Sequence, residues 1–309
     1  MHCPTLSQLP ASPRGKRGWP WTEESTRLSE AMPSGHPWPK ISVVTPSYNQ
    51  VRFIEETIRS VLLQNYPNLE YIIVDGGSTD TSVEIIKKYE KWLEYWVSEP
   101  DEGQSEAINK GLNKATGEVY TWLNSDDYLL KNALRNIAIA YQTSPDAGGW
   151  CGGCLLMKAN GDKLGVRWPN RLEVEGLANW SENHFGQPAC FFSRNSWKQC
   201  GPLEEDLHYE MDFEFWLSIA EEFTFEKVNH MIAAARYHSD AKTGKGRGQF
   251  HIEQVLIQIR HGYECFAVQD ISRWVNEYEE LKMKIDRISQ VPFLRPVMPI
   301  ARLFWRKLL

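Results

Sequence analysis

Apolar positions along the middle of the chain recur with two different periods. Short runs of β-branched and aromatic residues, typical of buried strands, occupy 41–45, 69–75, 93–98 and 118–123. Between these runs the apolar residues have helical spacing, which predicts helices over 50–64, 81–92 and about 104–114. A strand–helix series of this kind predicts an α/β fold with a mostly parallel, Rossmann-like central sheet, flanked by helices and joined by right-handed crossovers.

The two ends of the chain have a different pattern from the middle. Residues 1–39 hold many of the Pro and Ser residues and show little periodicity, which predicts an irregular N-terminal extension. It is interpreted either as a disordered tail or as an arm bound to the domain by Trp19, Trp21 and Trp38. We expect 40–240 to form one large domain and 241–309 a helical C-terminal extension.

Charge is distributed unevenly along the chain. There are 34 Lys and Arg against 40 Asp and Glu, a formal net charge of -6, which argues against a general nucleic-acid binder. The segment 291–309 combines bulky apolar residues with four cations and no acid. It fits an amphipathic tail in peripheral contact with an anionic membrane surface, or else a packing or dimer-forming helix.

Membrane-spanning and secretion signals are not evident in the sequence. No apolar run approaches the roughly 18 residues that a spanning helix needs. Six cysteines at scattered spacings form no dense disulfide framework, so we expect a cytoplasmic protein, with peripheral contact at the cytoplasmic membrane face as the variant. Cys151 and Cys154 are spaced like half of a zinc site, but no second pair follows and both lie in a strand-like run.

Polar segments follow each of the predicted strands, where ligands of such sheets gather. They read TPSYNQ (45–50), DGGSTD (75–80), SEPDEGQS (98–105) and NSDD (124–127). Crowded carboxylates repel one another unless a cation or hydrogen-bond donors lie among them. Asp126 and Asp127 would suit Mg²⁺ or Mn²⁺, which bind one or two carboxylates together with phosphates. The alternative is that the pair only turns the chain and caps a helix near 130–141.

Neither a GxxxxGK[ST] nor a GxGxxG motif is present, so ATPase and dinucleotide chemistry are not indicated. A nucleotide could still bind through Asp75, whose carboxylate can accept hydrogen bonds from a base edge. Gly76 and Gly77 would allow close approach of the backbone. The alternative for this segment is a tight turn in which Ser78 or Asp80 caps the next helix.

Several motifs together resemble glycosyltransferase family 2, the inverting enzymes of the GT-A fold. The resemblance rests on ISVVTPSYNQ, YIIVDGGSTD and SEPDEGQSEAINKGLNKATGEVYTWLNSDD, and continues in QPACFFSRNSWKQCGPLEEDLHYEMDFEFWLSIAE. Their order and spacing agree over about 40–240. The resemblance implies transfer of a sugar from a nucleoside-diphosphate sugar, with UDP favoured, to a glycan or lipid-linked acceptor. The pathway implied is cell-surface polysaccharide synthesis.

The resemblance also assigns roles to individual residues. The nucleotide-binding set is Thr45, Pro46, Tyr48, Asp75, Gly76, Asn124 and Ser125. The metal-binding set, for Mg²⁺ or Mn²⁺, is Asp126, Asp127 and His238, and the general base is Asp212. Two positions depart from the family pattern: Gly76 replaces a frequent second acid, and Asn124 stands at the first position of the DxD motif.

Chemical reasoning about the second half of the chain leaves alternatives. The spacing of Phe213 and Trp216 places Asp212 near a helix start, where the helix dipole favours the ionised carboxylate that a base needs. Asp212 could equally be an ordinary helix acid, with Glu210 and Glu214 as other candidate bases. His238 could be a satisfied polar group rather than a ligand.

The stretch KTGKGRG, with Lys242 and Arg247, could fold over a diphosphate or remain a solvated loop. Two other function classes stay open at this point. One is a metal-dependent sugar nucleotidyltransferase, which would need no acceptor base. The other is a catalytically silent protein that binds sugar nucleotides.

Overall fold

The computed structural model describes residues 3–239, 241–242 and 247–289. The chain divides into two compact units, Met1–Gly244 and Lys245–Leu309. The strands of the first unit are β1 (Ile41–Ser47), β2 (Leu69–Asp75), β3 (Tyr95–Ser98), β4 (Val119–Trp122), β5 (Tyr128–Leu129), β6 (Gly149–Lys158), β7 (Lys163–Arg167), β8 (Cys190–Ser193) and β9 (Phe225–Tyr237).

Its helices are α1 (Ile54–Leu62), α2 (Ser82–Tyr89), α3 (Gln104–Lys114), α4 (Ala133–Thr143), α5 (Val174–Ala178), α6 (Trp180–Asn183), α7 (Arg194–Cys200) and α8 (Met211–Glu222). The second unit contains α9 (Arg247–Arg260) and α10 (Glu264–Ser289).

One sheet of nine strands runs through the described part of the first unit, in the order β3-β2-β1-β4-β8-β6-β9-β5, with β7 paired to β6. The four strands at one end, β3 to β4 in this order, are parallel, as the strand–helix series predicts. β8 then pairs antiparallel with both β4 and β6, so the sheet is mixed from this point on. β5 pairs antiparallel with β9, which joins the chain after β4 to the last strand.

The predicted elements match the structure best where the apolar pattern is longest. The strand 69–75 and the helix 104–114 have the predicted bounds. The helix predicted from 50 begins at Ile54 instead, because Asn49 has a positive φ of 53° and its side chain accepts hydrogen bonds from the turn after β2. The helix expected near 130–141 is α4, shifted to Ala133–Thr143.

A cluster of aromatic side chains fixes α8 against the middle of the sheet. Trp122 on β4 and Trp216 on α8 are fully buried and stack with ring centroids 5.1 Å apart. Phe192 and Phe215 meet the same two rings edge-on or tilted. Because each large aromatic ring buries much apolar area, this cluster holds the start of α8 at a set distance from the end of β4.

The N-terminal extension is an arm bound to the domain, which decides between its two interpretations. Trp21 and Trp38 are buried, and Trp19 Nε1 donates a hydrogen bond to the Leu129 carbonyl at 2.8 Å. Arg59 of α1 is 1% exposed. Its guanidinium donates hydrogen bonds to Pro10 O, Ser12 Oγ, Pro20 O, Trp21 O and Tyr89 Oη. The buried guanidinium group of Arg59 therefore binds three carbonyl groups of the arm.

Replacing Arg59 with Met is expected to lower the free energy of unfolding by about 3 kcal/mol or more, because it leaves several buried carbonyl groups without donors. Urea denaturation followed by tryptophan fluorescence measures this loss. Arg27→Met, at an exposed position of the same arm, is the matched control and should unfold like the wild type. Equal urea concentrations at the midpoint of unfolding for the two variants would show that Arg59 does not hold the arm.

The cysteines depart from the sequence-based interpretation. Cys151 on β6 and Cys190 on β8 lie opposite each other and are joined in a disulfide, whereas the scattered spacing favours reduced cysteines. Cys154, the second residue of the zinc-like pair, is buried and free, and burial raises the pKa of its thiol to about 12. The half zinc site is therefore not formed.

The second unit has a polar interior. Gln254 and Gln258 of α9 both donate hydrogen bonds to Asp270 Oδ2 of α10, at 2.6 and 2.9 Å. The basic segment 291–309 lies outside the described residues, so its membrane contact stays a prediction. Along the part of the chain that the structure describes, no helix has both the length and the apolar character to cross a bilayer.

Candidate active site

The carboxyl ends of β1, β2 and β4 lie side by side and form the edge at which the candidate residues meet. Ser47 of β1 is in register with Asp75 of β2, and Gly76 N donates to the Ser47 carbonyl at 2.8 Å. The ring of Tyr48 just beyond β1 is 60% exposed, so it offers a face to solvent. Thr45 and Pro46 are buried within β1, where Thr45 Oγ1 lies 3.1 Å from Tyr71 Oη.

Asp75 is fully buried, and its carboxylate orders the turn after β2. Oδ2 accepts hydrogen bonds from Ser78 N at 2.8 Å and Ser98 Oγ at 2.7 Å, and Oδ1 accepts from Ser78 Oγ at 2.6 Å. Asp75 thus takes part in the turn after β2. This turn is compatible with nucleotide binding, so the contact of Asp75 with a base edge stays a prediction.

The space over Gly76 is filled by an acid from another segment. A Cβ atom at residue 76 would lie 2.5 Å from Asp101 Oδ2. Burial, with nearby Glu106 and Asp75, raises the pKa of Asp101. The site thus carries a carboxyl group where a side chain at position 76 would stand.

Residues 124–127 form the loop that follows β4. Asn124 Oδ1 accepts a hydrogen bond from Gln104 Nε2 at 2.7 Å. Ser125 is buried and its carbonyl accepts from Thr57 Oγ1 at 2.9 Å. Both residues are thus held by the helices on either side of β4, and the loop presents the next residue outward.

The side chains of Asp126 and His238 are in direct contact. Asp126 Oδ2 and His238 Nε2 are 2.9 Å apart, and the side chains are 18% and 5% exposed. His238 also packs against the Phe53 ring, with centroids 4.9 Å apart. Two residues 112 positions apart in sequence therefore share one partly open site.

Asp127 is more deeply buried than Asp126, and its role as a metal ligand stays a prediction. It is 6% exposed, and its Oδ1 accepts a hydrogen bond from Arg236 N at 2.8 Å. Burial, followed by the neighbouring Asp126, raises the pKa of Asp127 well above its ordinary value. Its carboxyl group points into the protein and joins the loop to β9.

Asp126 Oδ2 and His238 Nε2 are hydrogen-bonded to each other, and both are atoms that could instead bind a divalent cation. Carboxylate oxygen with imidazole nitrogen is a donor set that Mn²⁺ accepts. Among the described residues no group of three or more His, Cys, Asp or Glu could hold an ion. The other ligands would come from water and substrate phosphates.

Asp212 lies in the first turn of α8, at the predicted helix start. Its Oδ1 accepts a hydrogen bond from Phe213 N at 2.9 Å. The helix start was expected to favour the ionised form, but burial has the larger effect and raises the pKa of Asp212 to about 6. The Phe213 N–H and the Lys242 ammonium group oppose this rise. Such a carboxylate is ionised at pH 7 and still accepts a proton readily.

The other candidate bases are placed differently. Glu214 is buried and accepts a hydrogen bond from Ser218 Oγ of its own helix at 3.0 Å. Glu210 is 1% exposed and precedes the helix as its N-cap residue. Both remain alternatives to Asp212, whose role as the base stays a prediction.

The start of α3 lies between the loop after β4 and the start of α8. Gln104 Nε2 donates to Asn124, and Lys242 Nζ donates to Gln104 Oε1 at 3.4 Å. Ser105 Oγ contacts Met211 Sδ at 2.7 Å, next to Asp212. A cavity of about 40 Å³ opens here, lined by Glu102, Gly103, Gln104, Ser105, Glu106, Glu205, Leu207, His208 and Lys242. Of the KTGKGRG stretch, 243–246 lie outside the described residues.

Sequence reasoning missed Arg236. It is 7% exposed on β9, and its NH1 donates to the Asp126 carbonyl at 2.5 Å. Its NH2 lies 3.3 Å from Glu56 Oε1, and its guanidinium lies over the rings of Phe53 and Tyr128. The available signal was an arginine directly after the apolar stretch MIAAA (231–235) and two residues before His238, since a buried charge requires partners.

Comparison with known proteins identifies the family. The model described as Glycosyl transferase family 2 matches residues 42–196. The chain is 42% identical over 205 residues to TuaG of Bacillus subtilis (strain 168), whose name refers to teichuronic acid biosynthesis, covering 64% of this chain and 79% of that protein. It is 37% identical over 112 residues to an uncharacterized glycosyltransferase of a Nostoc species, and spans only 35% of that relative's length.

Two solved structures have a similar fold. TarS 1-349 of S. aureus in complex with UDP-GlcNAc has a TM-score of 0.59 and 20% identity, covering 85% of this chain and 87% of that one. The mannosyltransferase PcManGT from Pyrobaculum calidifontis, in complex with GDP-Man and Mn²⁺, has a TM-score of 0.57 and 17% identity, covering 84% and 83%. The predicted GT-A fold is thereby confirmed, and with half of its length matched by the family model the chain belongs to glycosyl transferase family 2.

Proposed function

We propose that this family 2 enzyme is an inverting glycosyltransferase that uses a nucleoside-diphosphate sugar and a divalent cation. The observation that carries the proposal is the pairing of Asp126 with His238 at 2.9 Å at the strand-end edge. Asp212, with a pKa of about 6, is linked to the same edge through Lys242 and Gln104. A cation site and a proton acceptor are what a single displacement at a sugar carbon requires.

The donor nucleotide is proposed to bind along the ends of β1 and β2. The exposed Tyr48 ring offers a stacking surface for a base. Ser47 Oγ is buried and has no hydrogen-bond partner among the residues that the structure describes, so a ligand could satisfy it. We favour UDP because solved structures of TarS hold UDP-GlcNAc and UDP, with the GDP-Man complex of PcManGT as the runner-up.

Asp126 and His238 would hold the Mg²⁺ or Mn²⁺ ion, which draws negative charge off the leaving diphosphate when bound. Arg236 keeps the Asp126 carbonyl turned away from the site, so only the carboxylate faces the ligand. Lys242 adds a positive charge between this site and the base.

Asp212 is proposed to accept the proton of the attacking acceptor hydroxyl. Attack from the face opposite the diphosphate breaks the bond between the anomeric carbon and the phosphate oxygen and inverts the configuration. The proton ends on Asp212, and the nucleoside diphosphate leaves with the electron pair. Holding both substrates in line supplies much of the rate acceleration. The acceptor is proposed to be a glycan or a lipid-linked glycan of the cell surface, as the name of TuaG suggests.

A donor screen tests this function. We expect nucleoside diphosphate to be released from one UDP-sugar or GDP-sugar in the presence of Mn²⁺ or Mg²⁺, and release to fall at least tenfold with EDTA because the leaving group loses its counter-charge. A coupled assay for UDP or GDP measures the product. Release of pyrophosphate instead would identify a nucleotidyltransferase, and nucleotide binding without any turnover would identify a silent binding protein.

A further inference from the structure

A buried row of three polar side chains, two on α1 and one just after its end, is directed at the loop after β4. Thr57, Ser60 and Gln64 follow one another at helical spacing and are 0%, 0% and 2% exposed. Buried polar groups persist in a helix when they have specific partners. Here every one of the three bonds to the segment 125–134.

The first two side chains of the row form hydrogen bonds to every second residue of that segment. Thr57 Oγ1 donates to the Ser125 carbonyl at 2.9 Å and to the Asp127 carbonyl at 2.6 Å. Ser60 Oγ accepts from Leu129 N at 3.1 Å and donates to the Thr57 carbonyl at 2.7 Å. Gln64 completes the row with bonds to Leu130 O and Leu134 N. The helix thus holds residues 125, 127 and 129.

Asp126 lies between the two carbonyl groups that Thr57 holds, and it faces the other way. Its own carbonyl accepts from Arg236, and its carboxylate reaches His238. A hydroxyl group carries a single proton, so Thr57 shares that proton between two acceptors. The direction of the Asp126 carboxylate therefore depends on a hydroxyl group that never touches a ligand.

We propose that Thr57 is a positioning residue for cation binding by Asp126, an inference that rests on the proposed function. The Thr57 hydroxyl fixes the backbone on both sides of Asp126. Without it, two buried carbonyl groups lack a donor, and the loop relaxes to find other partners. A ligand side chain that is no longer held in place binds its ion more weakly, typically by about 10–100-fold.

The test compares Thr57→Val with Thr57→Ser. Valine has nearly the same shape as threonine without the hydroxyl, whereas serine keeps the hydroxyl and loses a methyl group. Binding of Mn²⁺ in the presence of UDP or GDP is measured by electron paramagnetic resonance of the free ion. We expect Thr57→Val to weaken Mn²⁺ binding at least tenfold and Thr57→Ser to stay within about threefold of the wild type.

Thr121→Val is the matched control for a loss of stability alone. Thr121 is also fully buried, and its Oγ1 lies within hydrogen-bond distance of the carbonyl groups of Cys190, at 2.9 Å, and Trp122, at 3.3 Å, neither of which is in the loop 124–127. Its melting temperature should fall like that of Thr57→Val, while its Mn²⁺ binding should match the wild type. Equal weakening in both valine variants, or wild-type binding by Thr57→Val, overturns the positioning role.

The same measurement separates this inference from the proposed function. Wild-type protein that binds neither nucleotide with Mn²⁺ overturns both. Wild-type protein that binds the ion with UDP or GDP, but no more tightly than Thr57→Val does, overturns the positioning role alone and leaves the glycosyltransferase proposal intact.

Discussion

Replacing Asp212 with Asn should lower kcat by about 10²–10⁴-fold and leave the KM for the donor nearly unchanged, since general-base catalysis contributes on this scale. The amide has the shape of the carboxylate and can still accept the hydrogen bond from Phe213 N. It cannot take up the proton of the attacking hydroxyl. Steady-state kinetics with the donor found in the screen gives both constants.

The pH dependence of the wild type provides a second readout of the same residue. Burial raises the pKa of Asp212 to about 6, so the carboxylate is protonated below that pH and ionised above it. Because a base must be unprotonated, kcat should be constant above about pH 7 and fall roughly tenfold per pH unit well below pH 6. The residual activity of Asp212→Asn should lack this acid limb.

Glu214→Gln is the control for Asp212→Asn, because it makes the corresponding change two residues further along the same helix. Its carboxylate accepts a hydrogen bond from Ser218, and a glutamine amide oxygen can accept the same bond. We expect kcat within a factor of about three of the wild type. A loss as large as that of Asp212→Asn would move the base assignment from Asp212 to Glu214.

Asp126→Asn is expected to weaken Mn²⁺ binding in the presence of nucleotide, and to lower kcat, by about 100-fold or more. The substitution removes the negative charge that faces the cation while keeping the size of the side chain. Isothermal titration with Mn²⁺ and UDP or GDP gives the affinity. Excess Mn²⁺ should restore part of the rate, because the remaining His238 and the substrate phosphates still bind the ion.

Asp127→Asn distinguishes the two neighbouring acids. Burial and the charge of Asp126 raise the pKa of Asp127, and its Oδ1 accepts from Arg236 N. An asparagine resembles the neutral acid and can accept the same hydrogen bond, so Mn²⁺ affinity should change less than about threefold. A larger effect in Asp127→Asn than in Asp126→Asn would show that the inner carboxylate is the ligand.

The parallel half of the sheet was readable from the sequence, because each of its strands is a continuous apolar run followed by polar residues. The strand 69–75 and the helix 104–114 illustrate how far periodicity reaches. The periodicity of apolar residues does not show which strands pair with each other. The antiparallel insertion of β8 between β4 and β6, and the pairing of β5 with β9, depend on contacts between residues about 40 to 105 positions apart.

The candidate site was predicted in part for a similar reason. Asp126, His238 and Asp212 could be placed after strands and at a helix start from their motif positions, whereas their roles stay predictions. The sequence does not show that the Asp126 carboxylate contacts His238 while the Asp127 carboxylate accepts a hydrogen bond from Arg236 N. This difference depends on the direction of each side chain. Likewise, the bonds of Asp75 to Ser78 and Ser98 follow from side-chain directions that residue order does not specify.

The arm that crosses Arg59 sets a limit on where the chain can be cut. A fragment starting at Lys40 would include the whole segment that matches the family, yet it would leave a guanidinium group without the three backbone oxygens of the arm. The fragment would also lose the hydrogen bond from Trp19 to the carbonyl of Leu129, which lies three residues after Asp126. We therefore expect truncation at the boundary of the family match to destabilise the fold and to expose the apolar surface that Trp21 and Trp38 cover.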